Sequence, residues 1–307
     1  MTKKYVIGHQ NPDTDSVVSA IMMAWALNEQ GGEYIPAVAG PVNKETQLVL
    51  STWGFEKPKE ITKEQAEDKE FFLVDHNEIG QSVAKEENIC GVVDHHLLGG
   101  IRTSNPIYFR SEPVGSSATL VYKIIKEQGL HINKQQAGLL LSAIISDTLN
   151  LNSPTTVTED IDTLYELKEI ADVDTEKMAQ EMFAAKSDFS DKDMTEVLSA
   201  DLKEYDFGGQ KIGVGVCETT SLDYFEKNKE QIKKELQNLK QKESFDALFF
   251  AVIDIIEQNT YFYLPEEEEE KVIKEVFKAT EKDGAFFAPD ISSRKKEIAP
   301  PLSEYYK

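Results

Sequence analysis

Histidine and aspartate recur together in three short segments of the chain. Residues 8–15 read GHQNPDTD, residues 74–77 read VDHN and residues 93–96 read VDHH, while a further aspartate, Asp147, ends an apolar helical pattern. Carboxylates bind hard cations, whereas imidazole favours a transition metal over Mg²⁺ or Ca²⁺. The mixture therefore indicates a site for Mn²⁺, Co²⁺ or Zn²⁺. Neither cysteine lies in these segments, which excludes an all-thiolate site.

The candidate ligands are numerous enough for two metal ions, provided that one carboxylate bridges both. Four carboxylates would balance the charge of two divalent cations. Without metal, four clustered carboxylates would repel one another, and some would have to protonate. The candidate ligand set is His9, Asp13, Asp15, Asp75, His95 and Asp147.

Each segment taken alone also fits a purely structural role. Asp13 and Asp15 are suited to cap a helix, and Asp75 and Asp94 are suited to cap loops at strand ends. His9 fits a histidine that ends a strand. The joint recurrence of Asp and His, rather than any single spacing, favours a metal site.

Short apolar runs alternate with helical patterns in the first half of the chain, which predicts a parallel sheet covered on both faces. The predicted strands are Tyr5–Ile7, Tyr34–Ala39, Phe71–Val74 and Cys90–Val93. The predicted helices are Ser16–Leu27 (capped by Asp15 or Ser16), Glu45–Trp53, Ser116–Glu127, Lys134–Ile145, Glu159–Ile170 and Thr175–Ala185. All three Asp/His segments directly follow predicted strands. Because ligands bind outside the carboxyl ends of such strands, the Asp and His side chains should converge there.

The second half has its own strands and helices, and a polar stretch without periodicity precedes it. Predicted strands are Lys211–Val216, Ala247–Ile253 and Tyr261–Leu264, and predicted helices are Leu222–Gln241 and Glu266–Ala279. We therefore expect an α/β protein of two domains, residues 1–188 and a smaller 194–307, with a linker at about 186–193. A basic run, Ser292–Lys296 (SSRKK), suggests an anion clamp in which Arg forks two phosphate oxygens.

Composition excludes several classes of function. The 307 residues include 33 Lys+Arg and 55 Asp+Glu, for a formal net charge of −22. This charge argues against neutralising nucleic-acid phosphates or docking on an anionic membrane. The most apolar stretch, residues 247–256, is far shorter than the roughly 20 residues of a membrane span. Two distant cysteines fit free thiols and a cytoplasmic location.

The motifs together resemble the DHH phosphoesterase superfamily, and the terminal SRKK indicates one family within it. The ordered segments GHQNPDTDS, VDHN, VVDHH and SD, followed by SRKK, resemble a family II, manganese-dependent inorganic pyrophosphatase over essentially the whole chain. The resemblance implies that the active site lies in the cleft between two α/β domains.

The resemblance also implies a role for each residue. His9 and Asp13 would hold the first metal, Asp15, His95 and Asp147 the second, and Asp75 would bridge both. His96 would face the substrate, and Lys203, Arg294 and Lys295 would grip pyrophosphate from the second domain; Asp75, His96, Lys203 and Arg294 would carry catalysis. His76 and Asp94 would orient ligands.

The mechanism that follows is metal-assisted hydrolysis. Two Mn²⁺ ions about 3.5–4 Å apart would lower the pKa of a shared water, and the resulting hydroxide would attack the nearer phosphorus in line. Co²⁺ or Mg²⁺ could substitute, and an extra Mg²⁺ or Mn²⁺ would enter with the substrate. The family also implies a homodimer through the first domain.

Two rival functions remain open at this stage. An exopolyphosphatase or another DHH phosphoesterase would share the metal site and differ in the clamp. An oligonucleotide phosphatase of this superfamily carries a GGGH-type motif, which is missing from this sequence. A catalytically silent metal or phosphate sensor is the other rival, although such a descendant usually loses some ligands.

Overall fold

The computed structural model describes residues 3–307, and the chain divides between Ala185 and Lys186 into two compact units. The strands of the first unit are β1 (Lys4–Gln10), β2 (Tyr34–Ala39), β3 (Lys59–Glu60), β4 (Glu70–Val74), β5 (Ile89–Asp94) and β6 (Tyr108–Ser111). Its helices are α1 (Thr14–Glu29), α2 (Lys44–Trp53), α3 (Ser117–Glu127), α4 (Lys134–Asp147), α5 (Thr158–Ala171) and α6 (Thr175–Lys186), which runs one residue past the division.

The first unit is built on a six-stranded sheet in the order β3-β2-β1-β4-β5-β6, and every pairing in it is parallel. The predicted parallel α/β sheet is therefore confirmed. The strand order reverses direction between β1 and β4. In sheets of this kind a crevice opens at such a reversal, outside the carboxyl ends of the strands.

Apolar side chains cover both faces of this sheet. The central strands carry runs of fully buried residues such as Val6, Ile7, Leu73 and Val92. Helix α1 packs against both α3 and α4, and most of its residues are buried. Because both faces are covered, the strand ends that emerge from this core are held rigidly.

The second unit has a mixed sheet in the order β11-β12-β10-β9-β8-β7, with β8 and β9 parallel and the other neighbours antiparallel. Its strands are β7 (Leu202–Phe207), β8 (Gln210–Thr219), β9 (Ala247–Asp254), β10 (Asn259–Tyr263), β11 (Thr280–Lys282) and β12 (Ala285–Ala288). Its helices are α7 (Met194–Ser199), α8 (Asp223–Lys227), α9 (Lys229–Glu243), α10 (Glu267–Phe277) and α11 (Ala299–Tyr305), preceded by one wide π-helical turn, Arg294–Ile298. Two apolar clusters, one on each face of the sheet, form its core.

Three sequence-based expectations need correction. The predicted helix over 222–241 is two helices, because Asn228 ends α8 and starts α9. The N-cap of α1 is Asp13, whose side chain accepts a hydrogen bond from Ser16 N, rather than Asp15 or Ser16. Strands β3, β6, β7, β11 and β12 were not predicted: the first four are short or polar edge strands, and β12 is an interior strand of only four residues. No helix within residues 3–307 is long and apolar enough to cross a bilayer.

Candidate metal centre

The carboxyl ends of β1, β4 and β5 bring the three Asp/His segments together. His9 lies near the end of β1, Asp75 directly follows β4, and His95 directly follows β5. Asp75 adopts a left-handed backbone conformation with φ of 60°. Its amide donates to Val93 O at 3.0 Å, which ties the turn after β4 to the neighbouring strand.

The six candidate ligands form two groups that share Asp75. The first ligand group is His9, Asp13 and Asp75, and the second is Asp15, Asp75, His95 and Asp147. In each group the ligand atoms lie within 4.8 Å of one another. The two oxygens of Asp75 face different groups: Oδ2 is 3.4 Å from His9 Nε2, and Oδ1 is 3.3 Å from His95 Nε2. His95 Nε2 is also 3.8 Å from Asp147 Oδ2.

Backbone carbonyls fix the orientation of both histidine rings. His9 Nδ1 donates to Gln10 O, and His95 Nδ1 donates to Val114 O, each at 2.9 Å. Because a carbonyl only accepts, Nδ1 carries a proton, and Nε2 is the nitrogen that faces the carboxylates. Once Nε2 gives up its own proton, its lone pair can bind a metal, an arrangement typical of metal-binding histidines.

The first turn of α3 holds the buried carboxylates. Asp15 accepts from Ser117 N at 2.6 Å and from Ala118 N at 2.9 Å, and Ser117 Oγ donates to Asp75 Oδ1 at 2.9 Å. Helix N-terminal amides favour a negative charge at this position. The close approach of α1 depends on Gly8, because a Cβ there would collide with the Ser16 side chain.

These residues fit a pair of divalent cations. Asp75 Oδ2 and His95 Nε2 are buried and lack a hydrogen-bond partner among the described residues. Burial lowers the pKa of His9, but Asp13 and Asp75 outweigh it and raise that pKa to about 11. Burial and the neighbouring charge of Asp75 raise the pKa of Asp15 to about 7. Bound cations would give these buried atoms a partner and would relieve the repulsion between the carboxylates.

His96 lies beside this centre and is half exposed. Its Nδ1 is 2.8 Å from Asp94 Oδ1, and this hydrogen bond raises the pKa of the His96 ring. Asp94 is fully buried and also accepts from His95 N and from the Asn77 side chain. His76 does not orient a ligand through its Nδ1, which donates to Val74 O. A cleft of about 470 Å³, lined by His9, Asp75 and His96 among others, opens at this edge of the sheet.

The predicted clamp residues lie in the second unit. Lys203 sits on β7 opposite Val214 of β8. Arg294 donates to Val214 O at 3.5 Å and to Asp201 Oδ1 at 2.7 Å, so its guanidinium is fixed next to the β7–β8 pair. The neighbouring Lys295 is exposed.

Sequence reasoning missed the residues that hold the candidate ligands and the clamp in place. Asp201 lies two residues before the predicted Lys203, and its contact with Arg294 shows that it fixes that guanidinium. Ser117 was predicted merely as part of a helix, and its contacts with Asp15 and Asp75 span 102 and 42 residues of sequence respectively. The small polar Ser116-Ser117 pair at a helix start is the one local signal of this role.

Comparison with known families gives the class of the protein. Residues 3–144 match the N-terminal domain of the DHH family, and residues 180–305 match the DHHA2 domain. The two matches fall on the two sheets, and the first contains every Asp/His segment around β1, β4 and β5. The chain therefore has the two-domain organisation of a DHH-type protein.

Relatives that match over nearly the whole length of the chain identify its family within the DHH proteins. The chain is 37% identical to a Clostridium acetobutylicum protein named "Probable manganese-dependent inorganic pyrophosphatase", covering 97% of this chain and 96% of the relative. It is 36% identical to a manganese-dependent inorganic pyrophosphatase of Methanothrix thermoacetophila, covering 99% and 98%. The chain belongs to the family of manganese-dependent inorganic pyrophosphatases, as the motifs predicted.

Solved structures agree with this family. A Methanococcus jannaschii protein assigned to family II inorganic pyrophosphatases superposes with a TM-score of 0.63 at 34% identity, and the match covers 99% of both chains. An exopolyphosphatase-related protein of Bacteroides fragilis gives a TM-score of 0.53 at 15% identity, covering 99% of this chain and 92% of that one. The second likeness concerns the fold alone.

Proposed function

We propose that the protein hydrolyses inorganic pyrophosphate to two orthophosphates at a centre of two Mn²⁺ ions. The observation that carries this proposal is the pair of ligand groups joined by Asp75, in a chain that matches manganese-dependent pyrophosphatases along its full length. His9, Asp13 and Asp75 would hold one ion, and the second ligand group would hold the other. Co²⁺ or Mg²⁺ would be substitutes, and a further Mg²⁺ or Mn²⁺ would enter with the substrate.

The metals would supply Lewis acidity, which lowers the pKa of a coordinated water and offsets phosphate charge. The protein's own contribution is to fix the ligands in place before substrate arrives. The carbonyls behind His9 and His95 prevent ring rotation, and the amides of α3 prevent Asp15 from moving. Such preorganisation avoids rearrangement during the reaction.

His96 is suited to bind and protonate the phosphate. Its Nδ1 is engaged by the buried Asp94, so its Nε2 is the nitrogen available to a substrate in the cleft. The hydrogen bond to Asp94 raises the pKa of this ring, which favours its protonated form. A protonated His96 would donate a hydrogen bond to a phosphate or bridging oxygen and would stabilise the leaving phosphate.

The cations of the second unit would grip the substrate. Arg294, held by Asp201, would present its guanidinium to phosphate oxygens, and Lys203 and Lys295 would add positive charge. An arginine suits this task because its planar fork binds two oxygens at once.

We also propose a cytoplasmic homodimer assembled through the first unit. The last strand of its sheet, β6, exposes the large side chains Tyr108 and Phe109 at 48% and 45%. Free thiols at Cys90 and Cys217 fit a reducing compartment. Light scattering should give twice the chain mass of 34.6 kDa, and a particle of one chain mass would contradict the dimer. The charge of −22 disfavours nucleic acid as a partner.

The experiment that tests the proposed activity compares substrates. Metal-stripped protein is resupplied with Mn²⁺ or with Mg²⁺ alone, and phosphate release is followed from pyrophosphate, tripolyphosphate and a dinucleotide. We expect fast, Mn²⁺-enhanced release from pyrophosphate over both alternatives. Preferred release from tripolyphosphate would instead indicate an exopolyphosphatase. A folded, metal-loaded protein that hydrolyses none of the three would indicate a sensor.

A further inference from the structure

The short segment 114–119, which leads into α3, holds three side chains of the second ligand group through the contacts given above. Val114 O accepts from one imidazole, and the Ser117 and Ala118 amides and the Ser117 hydroxyl bind two carboxylates. A shift of this segment would therefore move several ligands at once. The ligands it holds are His95, Asp15 and Asp75.

A buried carboxylate on α5, outside the proposed metal centre, forms hydrogen bonds with this segment. Asp160, near the start of α5, is 0% exposed. Its Oδ2 accepts from Gly115 N at 2.7 Å, and its Oδ1 accepts from Thr119 Oγ1 at 2.7 Å. Oδ2 also accepts from Val157 N at 2.9 Å within its own helix start. Asp160 thus joins α5 to both ends of the segment.

Close packing leaves the segment little room to move. A Cβ on Gly115 would lie 2.7 Å from Asp160 Oδ2 and 2.8 Å from Thr148 Cγ2, which is closer than real Cβ contacts. Thr148 directly follows the ligand Asp147. The segment is therefore packed between α5 and the end of α4, which carries the remaining ligand of the second group.

We propose that Asp160 is a positioning residue for the second ligand group, an inference that rests on the proposed metal centre. Asp160 acts through Gly115 and Thr119, which in turn place the amides and carbonyl that orient the ligands. A simpler role would be to cap α5 through Val157 N. A cap would affect overall stability without distinguishing one ligand group from the other, so metal affinity separates the two roles.

The test measures Mn²⁺ binding to the full chain by calorimetry in two backgrounds. Asp13→Asn leaves the second ligand group complete and keeps a good helix cap, whereas Asp147→Asn leaves the first group complete. We expect Asp160→Ala to weaken Mn²⁺ binding about 10–100-fold in the Asp13→Asn background, as for other residues that support ligands. In the Asp147→Asn background the loss of affinity should be clearly smaller, because Asp75 is the one ligand of the first group that the segment contacts, and it does so through Oδ1, which faces the second group.

Two further variants act as controls. In Asp160→Asn the remaining oxygen can still accept from both backbone amides while the new amide group donates to the Thr119 hydroxyl, so Mn²⁺ affinity should be largely restored. Asp162→Ala removes an exposed carboxylate from the same helix and should leave both affinities unchanged.

The outcomes separate this inference from the proposed function. Equal weakening in both backgrounds, or none in either, would overturn the role of Asp160. If Asp160→Ala does not fold, the same titrations are made with Thr119→Val. This variant removes the hydroxyl that donates to Asp160 and keeps the shape of the side chain. It should weaken binding more in the Asp13→Asn background than in the Asp147→Asn background, and any other result would overturn the role. Failure of both parent backgrounds to bind Mn²⁺ would instead contradict the metal centre itself.

Discussion

Two of the proposed metal ligands, His9 and His95, bind an additional proton in the metal-free protein. Burial lowers the pKa values of His9 and His95, but neighbouring carboxylates outweigh it and raise them to about 11 and about 9. Both rings are therefore charged at neutral pH, and this charge stabilises the metal-free fold fully below the ordinary histidine pKa of about 6.5. The contribution is lost as the pH rises through 9 and then 11.

Proton release on metal binding follows from these values. Metal ligation needs neutral imidazole, so Mn²⁺ must displace a proton from each of His9 and His95. We expect Mn²⁺ binding at pH 7.5 to release protons, and its affinity to rise between pH 7 and 9. Calorimetry in buffers of different ionisation enthalpy measures this release. A binding enthalpy that is independent of the buffer would contradict the ligand assignment.

Arg294 allows a test of the clamp that leaves the metals untouched. Arg294→Lys keeps the charge but removes the fork that contacts Asp201 and, in our proposal, the substrate. The KM for pyrophosphate should rise about tenfold or more, because a charge-assisted hydrogen bond contributes about 1.5–3 kcal/mol. Mn²⁺ affinity should not change. The exposed Lys242→Met serves as control, and an unchanged KM in Arg294→Lys would remove Arg294 from the clamp.

At the scale of elements, Glu45 joins the start of α1 to the end of α4. It is fully buried, and its Oε2 accepts from Thr14 Oγ1 at 2.9 Å and from Ser146 Oγ at 2.8 Å. Thr14 lies between Asp13 and Asp15, and Ser146 precedes the proposed ligand Asp147. Glu45 on α2 therefore links two segments that carry proposed ligands and are more than 100 residues apart in sequence.

Glu45→Ala should destabilise the first unit. Both hydroxyls donate to the same carboxylate oxygen, so Ala removes the acceptor of two donors in a buried site. We expect a cost of about 1–3 kcal/mol in the free energy of unfolding. Urea denaturation of the metal-free protein measures this cost. Glu29→Ala, at the exposed end of α1, is the matched control. Equal stabilities of the two variants would show that the Glu45 contacts contribute nothing.

The central strands and the candidate ligands could be predicted from the sequence, whereas the edge strands and the supporting residues could not. Apolar runs such as Phe71–Val74 predicted the central strands, because a strand buried on both faces needs apolar residues throughout. The short polar edge strands β3 and β7 carry no such signal. The six candidate ligands could be proposed from the sequence because Asp and His recur after strands, and the structure brings them together in two groups. The supporting residues Asp160 and Glu45 resemble ordinary helix-start acids, and only long-range contacts reveal them.

At the scale of the whole molecule, every proposed metal ligand lies in the first unit. Mn²⁺ should therefore stabilise that unit selectively, by about 2.7 kcal/mol at a free concentration of 100 Kd. Hydrogen exchange followed by mass spectrometry should show slower exchange for peptides at the ends of β1, β4 and β5 and the start of α3. Peptides from the core of the second unit should exchange at the same rate with and without Mn²⁺. Equal protection of both units would contradict the placement of the metals.

The most direct measurement is phosphate release from pyrophosphate as Mn²⁺ is added in known equivalents to metal-stripped protein. Because Asp75 joins the two ligand groups, we expect little activity at one equivalent and full activity at two. Asp75→Asn should abolish the activity at every ratio. Full activity with a single ion, or none with two, would contradict a two-metal pyrophosphatase.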